Sequence, residues 1–423
     1  MKALLNSGLI FLVVVQGLNF PLISHAQEVP YPDPGGFVQC SMTDINDSKQ
    51  AAGSCTPANP SAPGVAIYSA QKGTTPSVLA PLVSGQSCSG GAMPNSGVVI
   101  GVCATTNNFG RAVVWTTPGK SSVPPVALNP LPILTGLNLV PDVSTGFDNY
   151  NQHGDVVGES VSAGGNDTVV FWPAGGYAAS PVLVSAYGDN CVAADINDAY
   201  QNGRPGIALN CPTNSSPANP GPMIARIAQN TSCLLGVCGY GVTSLQLPAG
   251  ATHCTVASIN DSLQSVGTCH FPAPDHPQSA YWATPSSGPV LLNLPNGAVS
   301  IGRSINATGH IVFVYRDPNG FDQPGFWAPS NGTIISIPPV AGGSSCSPSG
   351  FSDIDKMALT CETSDQHVVA ASWSRSTGMT AALGFVNGGA NSALTAESRS
   401  GNAVVGNGET SGEKSVGFED DNF

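Results

Sequence analysis

Charged residues are scarce in this chain of 423 residues, at 9% of the total, and the positive ones are the scarcest. There are 13 Lys and Arg against 26 Asp and Glu, so the formal net charge is -13. Such a balance provides no basic patch for a phosphate backbone, which excludes nucleic acid as an expected partner and makes anionic membranes poor ones. We therefore expect a polar, uncharged ligand.

Long apolar runs are also missing. The run Leu9–Val15 is too short to span a bilayer, and with Lys2 before it and Ser24-His25-Ala26 after it, it is typical of a secretory signal. We expect residues 1–26 to be removed and the remainder to be secreted, extracellular or periplasmic, without membrane insertion. A short N-terminal segment, 27–39, then precedes a single repeat domain, 40–423.

Turn-forming residues are abundant instead. Gly (50) and Pro (36) together make up about one fifth of the chain, whereas Lys occurs only six times. Frequent Gly and Pro interrupt long helices and favour short strands joined by turns. The composition therefore predicts an all-β fold.

The 12 cysteines follow a regular spacing. Four pairs are separated by fourteen residues each, with turn-forming residues at the midpoint. They are Cys40 with Cys55, Cys88 with Cys103, Cys254 with Cys269, and Cys346 with Cys361. The pair of Cys191 and Cys211 has a five-residue insertion, and Cys233 with Cys238 closes a short loop. Folding each stretch as a hairpin brings its sulfurs to the same end, so we predict six local disulfides. Paired Cys-x-x-Cys motifs and zinc-type Cys/His clusters are absent, so we expect no metal.

The cysteine pairs bracket a repeated hairpin. Eight turn segments recur at intervals of 46 to 63 residues, centred near Asp47, Asn95, Gln152, Asp198, Asp261, Ala307, Asp353 and Ser400. Each is followed by a short apolar stretch that usually ends in an aromatic residue, and all five Trp residues occur there. One unit is therefore four short strands, which is the size of one β-propeller blade.

These counts predict an all-β propeller of eight four-stranded blades, with seven blades as the alternative. The chain begins in a hairpin at Cys40 and ends after an aromatic strand near Phe418. We expect the C-terminal strand to join the N-terminal hairpin in a three-stranded eighth blade, which closes the ring and hides two sheet edges.

The repeat resembles that of the extracellular HAF-repeat proteins of bacteria. The resemblance rests on Ile-Asn-Asp at Ile45, Ile196 and Ile259, on Ile305-Asn306, and on Val-Val-Gly ending at Gly158 and Gly406. It covers nearly all of the chain after the signal. It implies an exported repeat domain and supplies no catalytic residues.

Known catalytic and metal motifs are missing from the sequence. The Asn-Asp pairs lack the alternating ligands and terminal Glu of an EF-hand loop, and Asn and Asp at hairpin tips favour turns by bonding their own backbone. We found neither His-Glu-x-x-His nor Gly-x-Ser-x-Gly. We expect no cofactor, and the chain is more consistent with a binding protein than with an enzyme.

The face opposite the Asn-Asp tips carries the loops that vary most, which favours it as a binding surface. Three consecutive repeats place His270, Arg316 and Glu362 one position after the second cysteine or its equivalent, and His276 and His367 follow in the same loops. We predict that these five residues line a ligand site. A group of solvated loop charges is the simpler alternative.

The leading functional hypothesis is a secreted, disulfide-braced protein that binds a carbohydrate or another surface macromolecule. One alternative is a glycan hydrolase or lyase with its carboxylates on the variable-loop face. Another is a structural component of an envelope or matrix.

Overall fold

A computed structural model describes residues 28–423, apart from residues 108, 133–141, 215–220, 232–238, 273–275, 293, 295–297, 413 and 422. The expected signal peptide, residues 1–26, lies outside the described residues. The predicted pair of Cys233 and Cys238 lies outside them as well.

The described chain forms eight four-stranded antiparallel sheets in a ring, a β-propeller. The prediction of eight blades is confirmed, and the seven-bladed alternative is wrong. Strands are named A to D from the central channel outward. The A strands are β2 (Phe37–Ile45), β6 (Cys88–Ala92), β10 (Asp142–Tyr150), β14 (Val192–Gln201), β18 (His253–Ile259), β22 (Ser300–Ile305), β26 (Gly343–Phe351) and β30 (Ser392–Glu397).

The other strands follow in the same blade order. The B strands are β3 (Ala51–Pro57), β7 (Val99–Ala104), β11 (Val156–Ser162), β15 (Arg204–Pro212), β19 (Ser265–His270), β23 (Ile311–Arg316), β27 (Lys356–Thr363) and β31 (Val404–Glu409). The C strands are β4 (Val65–Ser69), β8 (Gly110–Trp115), β12 (Asp167–Trp172), β16 (Met223–Asn230), β20 (Gln278–Trp282), β24 (Asp322–Ala328), β28 (Val368–Ser374) and β32 (Ser415–Asp420). The D strands are β5 (Ser77–Val78), β9 (Val126–Ala127), β13 (Val182–Leu183), β17 (Tyr240–Ser244), β21 (Val290–Leu291), β25 (Thr333–Ser336), β29 (Thr380–Gly384) and, for blade 8, β1 (Val29–Pro30).

The ring closes differently from the prediction. The C-terminal strand β32 pairs with β1, which lies upstream of the N-terminal hairpin, and that hairpin belongs to a complete blade of its own. Blade 8 therefore has four strands, and the propeller begins at Val29, upstream of residue 40. The two-residue strand covers the outer edge of β32 with only two residue pairs, which the Cys frame could not reveal.

Each regular Cys pair lies directly opposite its partner in the A and B strands. Cys40 faces Cys55 and Cys88 faces Cys103, with Cα atoms 4.1 Å apart in both pairs. Cys254 faces Cys269 and Cys346 faces Cys361, with Cα atoms 4.0 Å apart in both. These four disulfides and Cys191–Cys211 are formed, so five of the six predicted pairs are confirmed among the described residues. The hairpin register inferred from the spacing is confirmed with them.

The Val-Val-Gly signature has a steric cause. The A strand of each blade carries a bulge, and in five blades the B-strand residue facing it is glycine. A Cβ atom on Gly158 would lie 2.2 Å from the carbonyl oxygen of Gly146, and one on Gly406 would lie 2.2 Å from that of Ala393. A larger residue there would push the two strands apart.

The five Trp residues fill the spaces between blades. Each is the last or the penultimate residue of a C strand and is at most 7% exposed. The indoles of Trp115, Trp172 and Trp282 donate hydrogen bonds of 2.8 to 2.9 Å to carbonyl oxygens that follow the D strand of the preceding blade. The indole therefore both packs and hydrogen-bonds across the blade interface. Helical structure in the described residues is limited to the 3₁₀ turn Val386–Gly388, and none of it could cross a membrane.

Candidate functional site

The antiparallel order gives the propeller two different faces. The A–B and C–D turns, including the Asn-Asp turns, occupy one face, which we call the turn face. The B–C loops and the connections from D strands to the next blade occupy the other, the loop face. The two faces carry different chemistry.

On the turn face, the repeated Asn closes its own turn. The Oδ1 atom of Asn260 accepts hydrogen bonds from the backbone N–H groups of Ser262 (3.0 Å) and Gln264 (3.1 Å). Asn46, Asn151 and Asn306 bond their own turns in the same way. This confirms the interpretation of the Asn-Asp pairs as turn residues.

The next residue links six of the eight turns to the turn of the following blade. The backbone N–H of Asp47 donates to Asn95 Oδ1 (2.8 Å), and that of Asp198 donates to Asp261 Oδ1 (2.8 Å). Equivalent bonds join blades 2 to 3, 3 to 4, 6 to 7 and 8 to 1. The signature therefore forms a belt of hydrogen bonds around the channel mouth, a role that sequence reasoning missed.

Arg399 of blade 8 crosses this mouth. Its guanidinium forms an ion pair with Asp198 of blade 4, lies 2.9 Å from Asp353 of blade 7, and lies 3.9 Å from Asp261 of blade 5. Burial alone would lower the pKa of Arg399, but the surrounding carboxylates raise it overall. One cation thus holds together turns from opposite sides of the ring.

Behind Arg399 lies a polar cavity of about 210 Å³ in the channel. Asp44 lines it, and its carboxylate accepts hydrogen bonds from the backbone N–H of Ile45 (2.9 Å), from that of Met93 in blade 2 (2.6 Å), and from the hydroxyl of Tyr150 in blade 3. Burial raises the pKa of Asp44 to about 6 despite these bonds. This carboxylate therefore ties three blades together.

Asp195 plays the same part on the other side of the cavity. Its carboxylate accepts hydrogen bonds from Ser258 Oγ (2.7 Å) and Ile259 N–H (2.9 Å) of the next blade. Burial raises the pKa of Asp195 and also that of Glu397, which reaches about 8. One oxygen of Glu397 accepts a hydrogen bond from Ala358 N–H (2.9 Å). A group with that pKa is protonated near neutral pH.

Asp44 and Asp195 are therefore occupied by hydrogen bonds, including bonds between blades. Asp44 and Asp195 have backbone donors on both oxygens, which suits a fixed brace better than a proton-transfer group. The signal for them was present in the sequence as Asp two positions before Asn, in Asp44-Ile45-Asn46 and Asp195-Ile196-Asn197. No pattern in the sequence identified Arg399 or Glu397.

The loop face holds the five predicted site residues, in three consecutive blades. His270 ends β19 and stacks on His253 of β18, with ring centroids 4.5 Å apart. Arg316 ends β23, and its Nε lies 3.1 Å from Asp322 at the start of β24. The structure thus pairs both residues within their own blades.

The remaining predicted residues are also on this face. Glu362 is exposed near the end of β27, and His276 is exposed in the B–C loop of blade 5. The Nε2 atom of His367 lies 3.7 Å from Asp365 in the B–C loop of blade 7. That these five residues bind one ligand stays a prediction.

Exposed aromatic side chains also concentrate on the loop face. In the described chain, four Phe and Tyr residues are strongly exposed: Phe109 (44%), Tyr200 (50%), Phe321 (45%) and Phe385 (39%). Tyr200 is on the turn face, where its hydroxyl donates to Asp155 (2.7 Å) and its ring stacks on His153. The three Phe residues are on the loop face, in blades 2 and 6 and between blades 7 and 8.

The loop that carries Phe321 is well defined. Asp317 Oδ1 accepts hydrogen bonds from the backbone N–H of Asn319 (2.8 Å) and of Phe321 (2.9 Å), and Asp317 N–H donates to Phe321 O (2.9 Å). The ring is therefore presented from a closed turn, beside the Arg316–Asp322 ion pair. An exposed aromatic ring next to hydrogen-bonding groups is typical of a ligand surface.

One cluster among the described residues has metal-ligand spacing, namely Asp189 with Cys191 and Cys211. The two sulfurs form a disulfide, so neither is a thiolate that could bind a metal ion.

No protein-family model and no curated protein matches this sequence. Solved structures do match. Prolyl oligopeptidase B from Galerina marginata matches with a TM-score of 0.53 and 11% identity, over 90% of this chain and 55% of its own. The dipeptidyl peptidase 4 of Porphyromonas gingivalis matches with a TM-score of 0.52 and 9% identity, over 90% of this chain and 58% of its own.

A puromycin-hydrolyzing peptidase of Mycobacterium tuberculosis has a TM-score of 0.51 and 12% identity, over 84% of this chain and 56% of its own. The chain thus spans little more than half the length of these peptidases. At such identities the similarity shows the fold alone. The class that the fold defines is the β-propeller proteins, here with disulfides in at least five of the eight blades, as is consistent with an oxidising compartment.

Proposed function

We propose that this protein is secreted after loss of residues 1–26 and binds an extracellular polysaccharide through its loop face. As part of this proposal, we assign it to the HAF-repeat proteins that its repeats resemble. The observation that carries the proposal is the set of exposed rings on that face, Phe109, Phe321 and Phe385.

The chemistry of the two faces supports this choice. Sugar rings present C–H groups that pack on an aromatic face and hydroxyls that need hydrogen-bonding partners. Phe321 with the neighbouring Arg316–Asp322 pair offers both. The turn face, by contrast, uses its carboxylates and Arg399 for bonds between blades, which leaves them less available to a ligand.

A glycan-array assay on residues 27–423 tests the proposal, with each bound glycan then incubated and checked for cleavage. Binding without cleavage, lost in Phe321→Ala and weakened in His270→Ala and Glu362→Ala, would support it. Cleavage would support the hydrolase or lyase alternative instead. Absence of binding would contradict the proposal and favour a structural role in an envelope or matrix.

A further inference from the structure

Two histidines meet on the loop face of blade 5. His253 begins β18 and His270 ends β19, and they are direct partners in the ladder next to the disulfide Cys254–Cys269. Their imidazole rings are stacked, with centroids 4.5 Å apart and planes within 1°. Both side chains are only partly buried. The pairing follows from the register that the Cys254–Cys269 disulfide fixes, because the two histidines directly flank these cysteines.

Thr252 links the two histidines. Its hydroxyl oxygen lies 3.0 Å from the backbone oxygen of His270 and 3.0 Å from His253 Nδ1. The ring of His253 is therefore oriented by a hydrogen bond at one of its nitrogens. A hydrogen bond that orients the ring is a regular feature of metal-binding histidines.

We propose that His253 and His270 together bind a divalent transition-metal ion, with Cu²⁺ held more tightly than Ni²⁺ or Zn²⁺. Imidazole nitrogen is a preferred ligand for these ions, and the order follows their general affinity series. A metal–nitrogen bond of about 2.0 to 2.1 Å requires the rings to turn toward each other from the stacked arrangement, by rotation about their side-chain bonds. The adjacent disulfide keeps the two backbones in register while they do so.

The charge of the molecule also favours a cation. The chain has a net charge of -13, so a divalent ion is attracted to its surface rather than repelled. Two protein ligands leave positions on the ion for water or for an oxygen of a bound ligand. The site does not depend on carbohydrate binding, and its failure would leave the proposed function untouched.

Copper binding by the mature protein, with any affinity tag removed, tests the proposal. Titration with CuCl₂ should show one ion per chain. The electron paramagnetic resonance spectrum should show hyperfine coupling to imidazole nitrogen. This spectrum needs no substitution, and a spectrum with oxygen ligands only would overturn the proposal.

Substitutions then locate the site. His253→Gln and His270→Gln should each weaken copper binding at least about tenfold, because one ligand of a chelating pair is lost. His367→Gln is the matched control, a loop-face histidine of blade 7 that should bind copper as the wild type does. Thermal unfolding without metal checks that the variants are folded. Wild-type affinity in both His253→Gln and His270→Gln would refute the assignment.

Discussion

Arg399 should contribute more to stability than any exposed ion pair of this protein. Replacing it with Leu leaves Asp198 and Asp353 near one another without their shared cation. Breaking a buried ion pair by removing one partner costs about 3 to 5 kcal/mol. Because 29% of the Arg399 side chain remains exposed, water screens part of this effect, and we expect a loss of about 2 kcal/mol.

Arg316→Leu is the matched control. Arg316 also pairs with an aspartate, with Nε 3.1 Å from Asp322, but the two side chains are 62% and 50% exposed. An exposed pair contributes about 0.5 kcal/mol or less. The free energy of unfolding of both variants would be measured by guanidinium denaturation with the disulfides intact. If Arg399→Leu were no less stable than Arg316→Leu, the cross-channel role of Arg399 would be wrong.

Three further predictions concern the ring closure, the blade interfaces and the disulfides. Burial raises the pKa of Glu28 to about 8, so between about pH 4.5 and 8 the native state holds a proton on this group that the unfolded state has lost. Over this range Glu28 alone should lower the free energy of unfolding by about 1.4 kcal/mol for each unit that the pH rises. Glu28→Gln should reduce that slope in denaturation curves measured across this range, whereas an unchanged slope would contradict the role of Glu28. Trp282→Ala should lower the free energy of unfolding by about 3 to 5 kcal/mol in the same assay. The substitution leaves a cavity where the buried indole packs between two blades, and it removes the hydrogen bond to Gln246 O. A loss below about 1 kcal/mol would refute this prediction. Non-reducing peptide mapping should recover Cys233 linked to Cys238 beside the five pairs described above, and a link from Cys254 to any residue other than Cys269 would contradict the hairpin register.

The sequence predicted the blades well because their signals are local and repeated. A disulfide across a hairpin fixes the register of two strands, and Cys40 and Cys55 mark it directly. The Trp at the end of a C strand marks a position of fixed burial. Eight copies of one pattern therefore indicated the number of blades.

The closure of the ring was not predictable in the same way. The strand Val29–Pro30 has two residues, no cysteine and no aromatic, and it forms only by pairing with the outer edge of β32. Its partner is almost four hundred residues away in sequence. Only the ring geometry brings the two together.

The candidate site, like the fold, was predictable from the sequence only in part. The sequence placed His270, Arg316 and Glu362 on one face, since that depends only on strand order. It did not find Arg399, because its carboxylate partners lie in blades 4, 5 and 7. The pairing of His270 with His253 follows from the register of the Cys254–Cys269 hairpin and was missed although that register was predicted. Contacts between blades, in contrast, depend on the arrangement of the whole ring, which single motifs do not contain.

The measurement that tests the central claim most directly is a binding titration with the glycan that gives the strongest array signal. It compares wild type with Phe321→Ala on the loop face and Met379→Ala on the turn face, two exposed apolar residues at 45% and 68%. We expect Phe321→Ala to weaken binding at least about tenfold, as is typical of an aromatic residue central to an interface, and Met379→Ala to leave binding unchanged. Full affinity in Phe321→Ala together with loss of binding in Met379→Ala would contradict binding at the loop face and would place the ligand on the turn face.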